Sequence, residues 1–226
     1  KLSDKKVKEI IQLQEKLGTT LTRNRRKGGI GIYPLDKIKF PITFTSKPST
    51  SIKFQPLDFK KELTAKEILE QHPKGKTYGY IVKLWKKLPL FIDSNQMIMS
   101  MPPIINSEIV GKVTGNSKEL FVEATGPDMN TLKDALNIIA TTLADMGGEI
   151  YSLEIVYPKK KIDFPNLEPK EMKINLDHVN KYLGLELTEK ELKTYLERMG
   201  YSYSNKSVKI PAYRIDILNE VDLIED

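Results

Sequence analysis

The hydrophobic positions fall into helical and strand periods in turn, without a strict alternation of the two. Val7, Ile10, Ile11, Gln14 and Leu17 recur at helical spacing, so residues 4–17 should form an amphipathic helix that Gly18 ends. Residues 28–44 read as short strand pieces broken by Gly and Pro, and 45–51 as a polar, exposed connection. Thr64 with Glu67 three residues on predicts a capped helix over 64–71, closed by His72-Pro73-Lys74-Gly75. Strands are expected at 78–83, 91–93 and 120–122. The clearest helix spans 130–146, where Leu132, Ala135, Leu136, Ile139, Ala140 and Leu143 form one apolar stripe and Gly147 supplies the stop. A strand at 151–157 follows.

A Lys- and Pro-rich stretch then reads as a linker, which divides the chain into 1–157, a linker 158–171, and 172–226. In the last part Asn175 should cap a short helix with Val179 and Leu183 inward, ended by Gly184. Thr188 to Glu191 forms a capping box for a second helix with Leu192, Leu196 and Met199 inward. Strands at 201–203 and 208–210 complete a helix, turn, helix, wing layout shared with many nucleic-acid binders. The second helix carries acids as well as bases, which argues against direct DNA reading. The expected class is α+β: a mixed-sheet domain followed by a small winged helix-turn-helix α+β domain.

The chain has 226 residues, 39% hydrophobic and 29% charged, and no apolar run nears the ~18 residues of a membrane helix. With no cysteine, disulfides and thiolate metal sites are excluded, which suits a cytoplasmic protein. The chain opens on Lys1 rather than Met and stops in an acidic segment, so an excised piece of a longer protein is expected. The net charge of +6 favours a polyanionic partner, and four of the five residues from Arg23 to Lys27 are basic.

Candidate chemistry centres on Met99-Ser100-Met101-Pro102-Pro103-Ile104-Ile105-Asn106-Ser107 and on Phe121-Val122-Glu123-Ala124-Thr125-Gly126. Two successive prolines end a strand and stiffen the loop after it. In the second segment an apolar strand ends at a carboxylate, a hydroxyl and a glycine, with Glu123 and Thr125 on one face. Strand ends beside rigid polar loops are frequent ligand sites. The ordinary alternatives are a solvent-exposed Glu123, a Ser100 bonded to its own loop, an Asn106 capping a turn, and a Phe91 in the core. Histidine is limited to His72 and His178, which makes a Ser-His-Asp arrangement improbable. At the end of the chain Asp222, Glu225 and Asp226 stand at i, i+3 and i+4, one face of a helix, with Asp216 nearby. A solvated helix start is the simple reading of those acids.

These segments resemble the editing domain of the archaeal and eukaryotic phenylalanyl-tRNA synthetase beta subunit. Its motif runs Ser-x-Pro-Pro-Ile-Ile-Asn, Lys-x-Thr, then acid-x-Thr-Gly-x-Asp, here Ser100 to Asn106, Lys112 to Thr114, and Glu123 to Asp128. A second likeness lies in Pro211 to Ile217 and Glu220 to Asp226. The chain departs from the family at Tyr33-Pro34, often His-Asp, and at Glu123, often Asp in archaeal members. The resemblance implies hydrolysis of tyrosine misacylated onto phenylalanine tRNA, or alternatively a non-catalytic tRNA-binding and subunit-assembly module. It implies Glu123, Phe91, Pro102 and Pro103 at the substrate, with Glu123 accepting the tyrosine hydroxyl. Thr125, Gly126, Ser100 and Asn106 would serve the hydrolysis. Arg23, Arg25, Arg26 and Gln14 would contact tRNA. Asp216, Asp222, Glu225 and Asp226 would hold a magnesium ion shared with an alpha subunit. The partners implied are phenylalanine tRNA and two alpha subunits in an α2β2 heterotetramer. ATP is implied for the full enzyme only.

Overall fold

The computed structural model describes residues 2–226, and the chain divides into two compact units, Lys1–Glu149 and Ile150–Asp226. In the first unit helix α1 (Asp4–Thr19) starts where Ser3 Oγ accepts from Lys6 N–H. It runs past Gly18, because its last carbonyls are satisfied by a tight left-handed turn. Arg23, Asn24 and Arg25 all have positive φ, and the amides of Thr22, Asn24 and Arg25 bond back to Leu17, Thr19 and Gly18.

The chain continues through β1 (Gly29–Pro34), β2 (Thr43–Pro48), β3 (Lys53–Phe54), β4 (Leu63–Thr64) and α2 (Ala65–Gln71). The expected capping box of α2 is present, with Thr64 and Glu67 bonding reciprocally. Residues 45–51, expected as a loop, largely belong to β2. It is the edge of a four-stranded sheet, so its side chains, Phe44 and Pro48 apart, are polar and none is buried. His72-Pro73 ends α2 and opens α3 (Pro73–Tyr78), Pro73 standing at the first helical turn. Residues 78–83 are therefore helical and 3₁₀ in character rather than the expected strand. Gly75 lets the two helices close up, since a Cβ there would lie 1.9 Å from the Ile68 carbonyl oxygen.

Next come β5 (Lys87–Ile92), β6 (Ile98–Met101), β7 (Ile105–Asn106), α4 (Glu108–Gly111), β8 (Leu120–Thr125) and α5 (Met129–Asp145). All ladders are antiparallel where a mixed sheet was expected, because β2-β5-β6-β7 is built from reversals of a single path and β1 meets β8 head to tail. The β1–β8 ribbon has two working faces. Ile30, Ile32, Leu120 and Val122 pack with Ile10, Leu17 and Ile139 of α1 and α5. On the other face Tyr33 and its cross-strand partner Phe121 join Ile38, Phe91, Met99 and Val110.

The second unit opens with a hairpin of β9 (Leu153–Tyr157) and β10 (Lys160–Phe164), which occupies much of the stretch expected to be a linker. Then follow β11 (Lys170–Lys173), α6 (Leu176–Leu183), α7 (Glu189–Arg198), β12 (Ser202–Ser204), β13 (Ser207–Ile210) and α8 (Glu220–Glu225). Asn175, Gly184 and the Thr188–Glu191 box cap the helices as expected. Val179, Leu192 and Leu196 are buried with Val208 and Ile210 of the β11-β13-β12 sheet. Leu183 and Met199, expected inward, are exposed, because each stands at the last turn of its helix beyond the sheet contact.

Candidate functional site

A cavity of about 390 Å³ opens in the first unit between α1, β1, the Pro102–Ile105 loop and residues 111–113. Its size falls in the ~300–1,000 Å³ range of small-ligand sites. Gln14, Arg25, Ser100, Pro102, Pro103, Asn106 and Glu123 line it, so seven of the sequence-predicted residues converge. Strand pairing does the gathering: Ser100 stands opposite Asn106 across β6–β7, and Glu123 opposite Gly31 across β8–β1.

The centre of the cluster is Tyr33, which no sequence argument placed there. Its ring is fully buried, and its hydroxyl lies 2.8 Å from Ser100 Oγ, 3.2 Å from Glu123 Oε1 and 3.4 Å from Asn106 Oδ1. The only signal was the departure from the family's usual residue at that position. Gly31 makes the meeting possible. A Cβ there would stand 2.4 Å from Glu123 Oε1 and 2.6 Å from the Tyr33 hydroxyl.

Glu123 is buried, and Thr125 Oγ1 donates to its Oε2 at 3.2 Å. Burial without a cationic neighbour raises its pKa from 4.5 to about 8, and the hydroxyls of Tyr33 and Thr125 offset only part of that rise. Below about pH 8 the carboxyl is neutral, and its carbonyl oxygen keeps a lone pair for a ligand. Burial, with Glu123 beside it, also pushes the Tyr33 phenol well above its ordinary value, so Tyr33 remains a neutral donor.

Other expectations change. Phe91 packs in the core against Phe44, with ring centroids 5.0 Å apart, and does not line the cavity. Thr125 acts through Glu123 rather than on the cavity itself. Gly126 is needed by the fold, since a Cβ there would lie 2.3 Å from the Lys27 carbonyl oxygen. Gln14 lines the cavity but donates to the Ile30 carbonyl at 2.7 Å.

Arg25, expected on tRNA, is a structural clamp. Its Nη1 donates to the Pro103 and Ile104 carbonyls at 2.9 and 3.0 Å, and Nη2 pairs with Glu15 at 3.1 Å. The guanidinium also lies 4.1 Å over the Tyr78 ring. It holds the Pro-Pro loop to α1. Arg23 and Arg26 of the same turn are exposed.

Both histidines are accounted for. The Lys74 amide donates to His72 Nδ1, so Nε2 carries the proton that the Leu57 carbonyl accepts at 3.0 Å. His178 Nδ1 meets Glu220 at 3.2 Å in the second unit.

The four terminal acids are not assembled as a cation site. Asp222 Oδ2 accepts from the Leu218 and Asn219 amides at 2.7 Å each, as part of the α8 cap. Asp216 and Asp226 both pair with Arg214, at 2.7 and 2.6 Å, and that guanidinium depresses the Asp216 pKa. Tyr201 also donates to Asp226. Among the described residues no group of three or more His, Cys, Asp or Glu converges on a possible metal. Within this chain Asp216, Asp222 and Asp226 are taken up by Arg214 or by backbone amides, and of the four only the exposed Glu225 has no such role, so these residues alone do not make a magnesium site.

Residues 172–226 match the tRNA synthetase B5 domain. Over its whole length the chain is 44% identical to the phenylalanine–tRNA ligase beta subunit of Thermococcus gammatolerans and 43% identical to that of Pyrococcus furiosus. A crystal structure of an N-terminal fragment of the phenylalanyl-tRNA synthetase beta subunit from Pyrococcus horikoshii matches with a TM-score of 0.93 at 43% identity, over 99% of this chain and 65% of that one. The chain belongs to the archaeal-type phenylalanine–tRNA ligase beta-subunit family. It spans about 40% of the length of the curated relatives it matches. Among the described residues no helix is long and apolar enough to cross a membrane.

Proposed function

We propose that the first unit hydrolyses aminoacyl-tRNA esters, removing tyrosine wrongly joined to phenylalanine tRNA. The observation that carries this reading is a buried carboxyl, Glu123, on the wall of a cavity of small-ligand size in a chain of this family. A site that binds phenylalanine rejects an added hydroxyl only weakly, roughly 10²-fold, whereas a site built to bond that hydroxyl discriminates by about 10⁴ or more. Glu123 supplies the acceptor. Tyr33 and Thr125 fix its two oxygens and keep it aimed.

The reaction needs no protein nucleophile. Water adds to the ester carbonyl, the carbon–oxygen bond to the ribose breaks, and free tyrosine leaves a tRNA hydroxyl behind. Ser100 and Asn106, on the cavity wall, are placed to orient that water, and positioning supplies the rate. In the whole enzyme the family implies an alpha-subunit partner and ATP-dependent aminoacylation, carried out beyond this chain.

A binding-only module is the second reading. It is favoured by both Glu123 oxygens already having internal partners while Arg23 and Arg26 stay exposed for phosphates. A deacylation time course on tyrosyl- and phenylalanyl-tRNA with the 226-residue chain separates the two. Faster release of tyrosine supports editing. Release of both at the uncatalysed rate, with tRNA bound, supports the binding module.

A further inference from the structure

We propose that the segment following the His72-Pro73 corner is a stacking track for the single-stranded 3′ end of an RNA, leading into the cavity. From Gln71 to Ile92 the sequence carries Lys74, Lys76, Lys83, Lys86 and Lys87 and no acidic residue. It also exposes large rings and side chains that a folded surface normally covers: Tyr80 at 49%, Trp85 at 50% and Leu84 at 91%. Lys76, Lys83, Lys86 and Lys87 are exposed as well. Cations interleaved with open aromatic faces are what unpaired nucleotides bind, the lysines on phosphates and the rings on bases.

The track is joined to the basic turn and to the cavity through side-chain contacts. Arg26 lies 5.5 Å over the Tyr80 ring, and the Tyr80 hydroxyl donates to the Asn24 carbonyl at 3.4 Å. The left-handed turn at 23–25 leaves Arg23 and Arg26 outward while Arg25 points in. Arg25 stacks on Tyr78 and bonds the Pro103 and Ile104 carbonyls, which belong to the cavity wall. Lys74 lies 5.8 Å over the same Tyr78 ring and also lines the cavity. A base stacked at Tyr80 would thus neighbour the turn whose Arg25 lines the cavity. A double helix is too wide to thread to a cavity of about 390 Å³, so the single-stranded end is the part that fits. The choice of RNA as occupant rests on the hydrolase reading above.

Trp85 is the only tryptophan of the chain, so its emission reports on this track directly. The 226-residue chain titrated with phenylalanine tRNA, and with a short single-stranded RNA ending in CCA, should show saturable quenching of Trp85 by both. Tyr80→Ala should weaken either RNA by about 10-fold, the loss of one stacked base. Lys83→Ala with Lys86→Ala should flatten the logarithmic salt slope by up to about 1.4. With tyrosyl-tRNA, Tyr80→Ala should raise KM, while hydrolysis of 3′-O-tyrosyl-adenosine, too short to reach the track, should stay unchanged. Unchanged Trp85 emission in a complex detected by anisotropy, or an unaltered affinity in Tyr80→Ala, would overturn the track and leave this face to a protein partner. Failure of the unmutated chain to cleave either ester would defeat the hydrolase reading alone, because the fluorescence arm does not depend on cleavage.

Discussion

The cavity of the first unit and the acidic end of the second both collect carboxyl groups, and they treat charge in opposite ways. Glu123 is buried among neutral hydroxyls with no cation beside it, and its pKa rises to about 8. Asp216 and Asp226 lie near the surface against Arg214, and the pKa of Asp216 falls. Ion pairing commits a carboxylate to the fold. Burial without a counterion leaves one costly to ionise and available to a ligand that can donate to it. The contrast also shows which sequence spacing gathers side chains. Asp222 and Asp226, at i and i+4, were drawn to different partners, whereas two antiparallel ladders brought Ser100, Asn106 and Glu123 onto one phenol.

The largest expected effect is on stability against pH. Glu123 holds its proton in the folded state up to about pH 8 and loses it near 4.5 when unfolded. Between those values the unfolded state binds fewer protons, so stability falls as pH rises, by up to about 1.4 kcal/mol per pH unit. Its contribution is complete below about 4.5 and gone above about 8. Denaturant titrations of the first unit should show this slope, and Glu123→Gln should remove it. A slope that survives in Glu123→Gln would place the titration elsewhere.

Next in size is the clamp. Arg25→Ala removes two carbonyl bonds, an ion pair and a ring contact from a mostly buried side chain, and should cost about 3 kcal/mol. A loss near zero would return Arg25 to the surface and to phosphate binding. Tyr33→Phe keeps the Phe121 contact but releases Glu123 and Ser100, and tyrosine release should slow about 10-fold. Removing that bond also raises the Glu123 pKa, so the pH midpoint of tyrosine preference should move up. Loss of rate without that movement would mean Tyr33 only supports packing.

The smallest effects belong to the acidic end. Asp222→Ala should cost about 1 kcal/mol, the value of a helix cap. Millimolar magnesium should leave the melting of the second unit unchanged, with or without Asp222. Stabilisation by magnesium that Asp222→Ala abolishes would restore these acids as ligands.

Much of this was legible in local sequence. The helix at Met129–Asp145 and the three side-chain caps at Thr64, Asn175 and Thr188 follow from periodicity and capping chemistry within a few residues. The errors have a common cause, tertiary context overriding local signal. Thr43–Pro48 looks like a loop because it is an edge strand, polar apart from Phe44 and Pro48 and with none of its residues buried. Tyr78 to Val82 carries strand-forming residues, but Pro73 had already set a helix. In the site the residues of the Pro-Pro loop and Glu123 could be named from order along the chain. Tyr33 could not, because its three partners lie 67, 73 and 90 residues away. The clamping role of Arg25 was hidden in the same way, since a run of bases looks alike whether its members point in or out.

The most direct test is the ratio of tyrosyl- to phenylalanyl-tRNA hydrolysis in Glu123→Ala, each rate taken after subtraction of spontaneous ester hydrolysis. Loss of one bond between a carboxyl acceptor and the substrate phenol should lower it by about 10- to 150-fold, acting mainly on the tyrosyl ester. Glu123→Gln, which keeps an acceptor, should lose less. An equal fall for both esters, or no change in either, would contradict Glu123 as the group that recognises tyrosine.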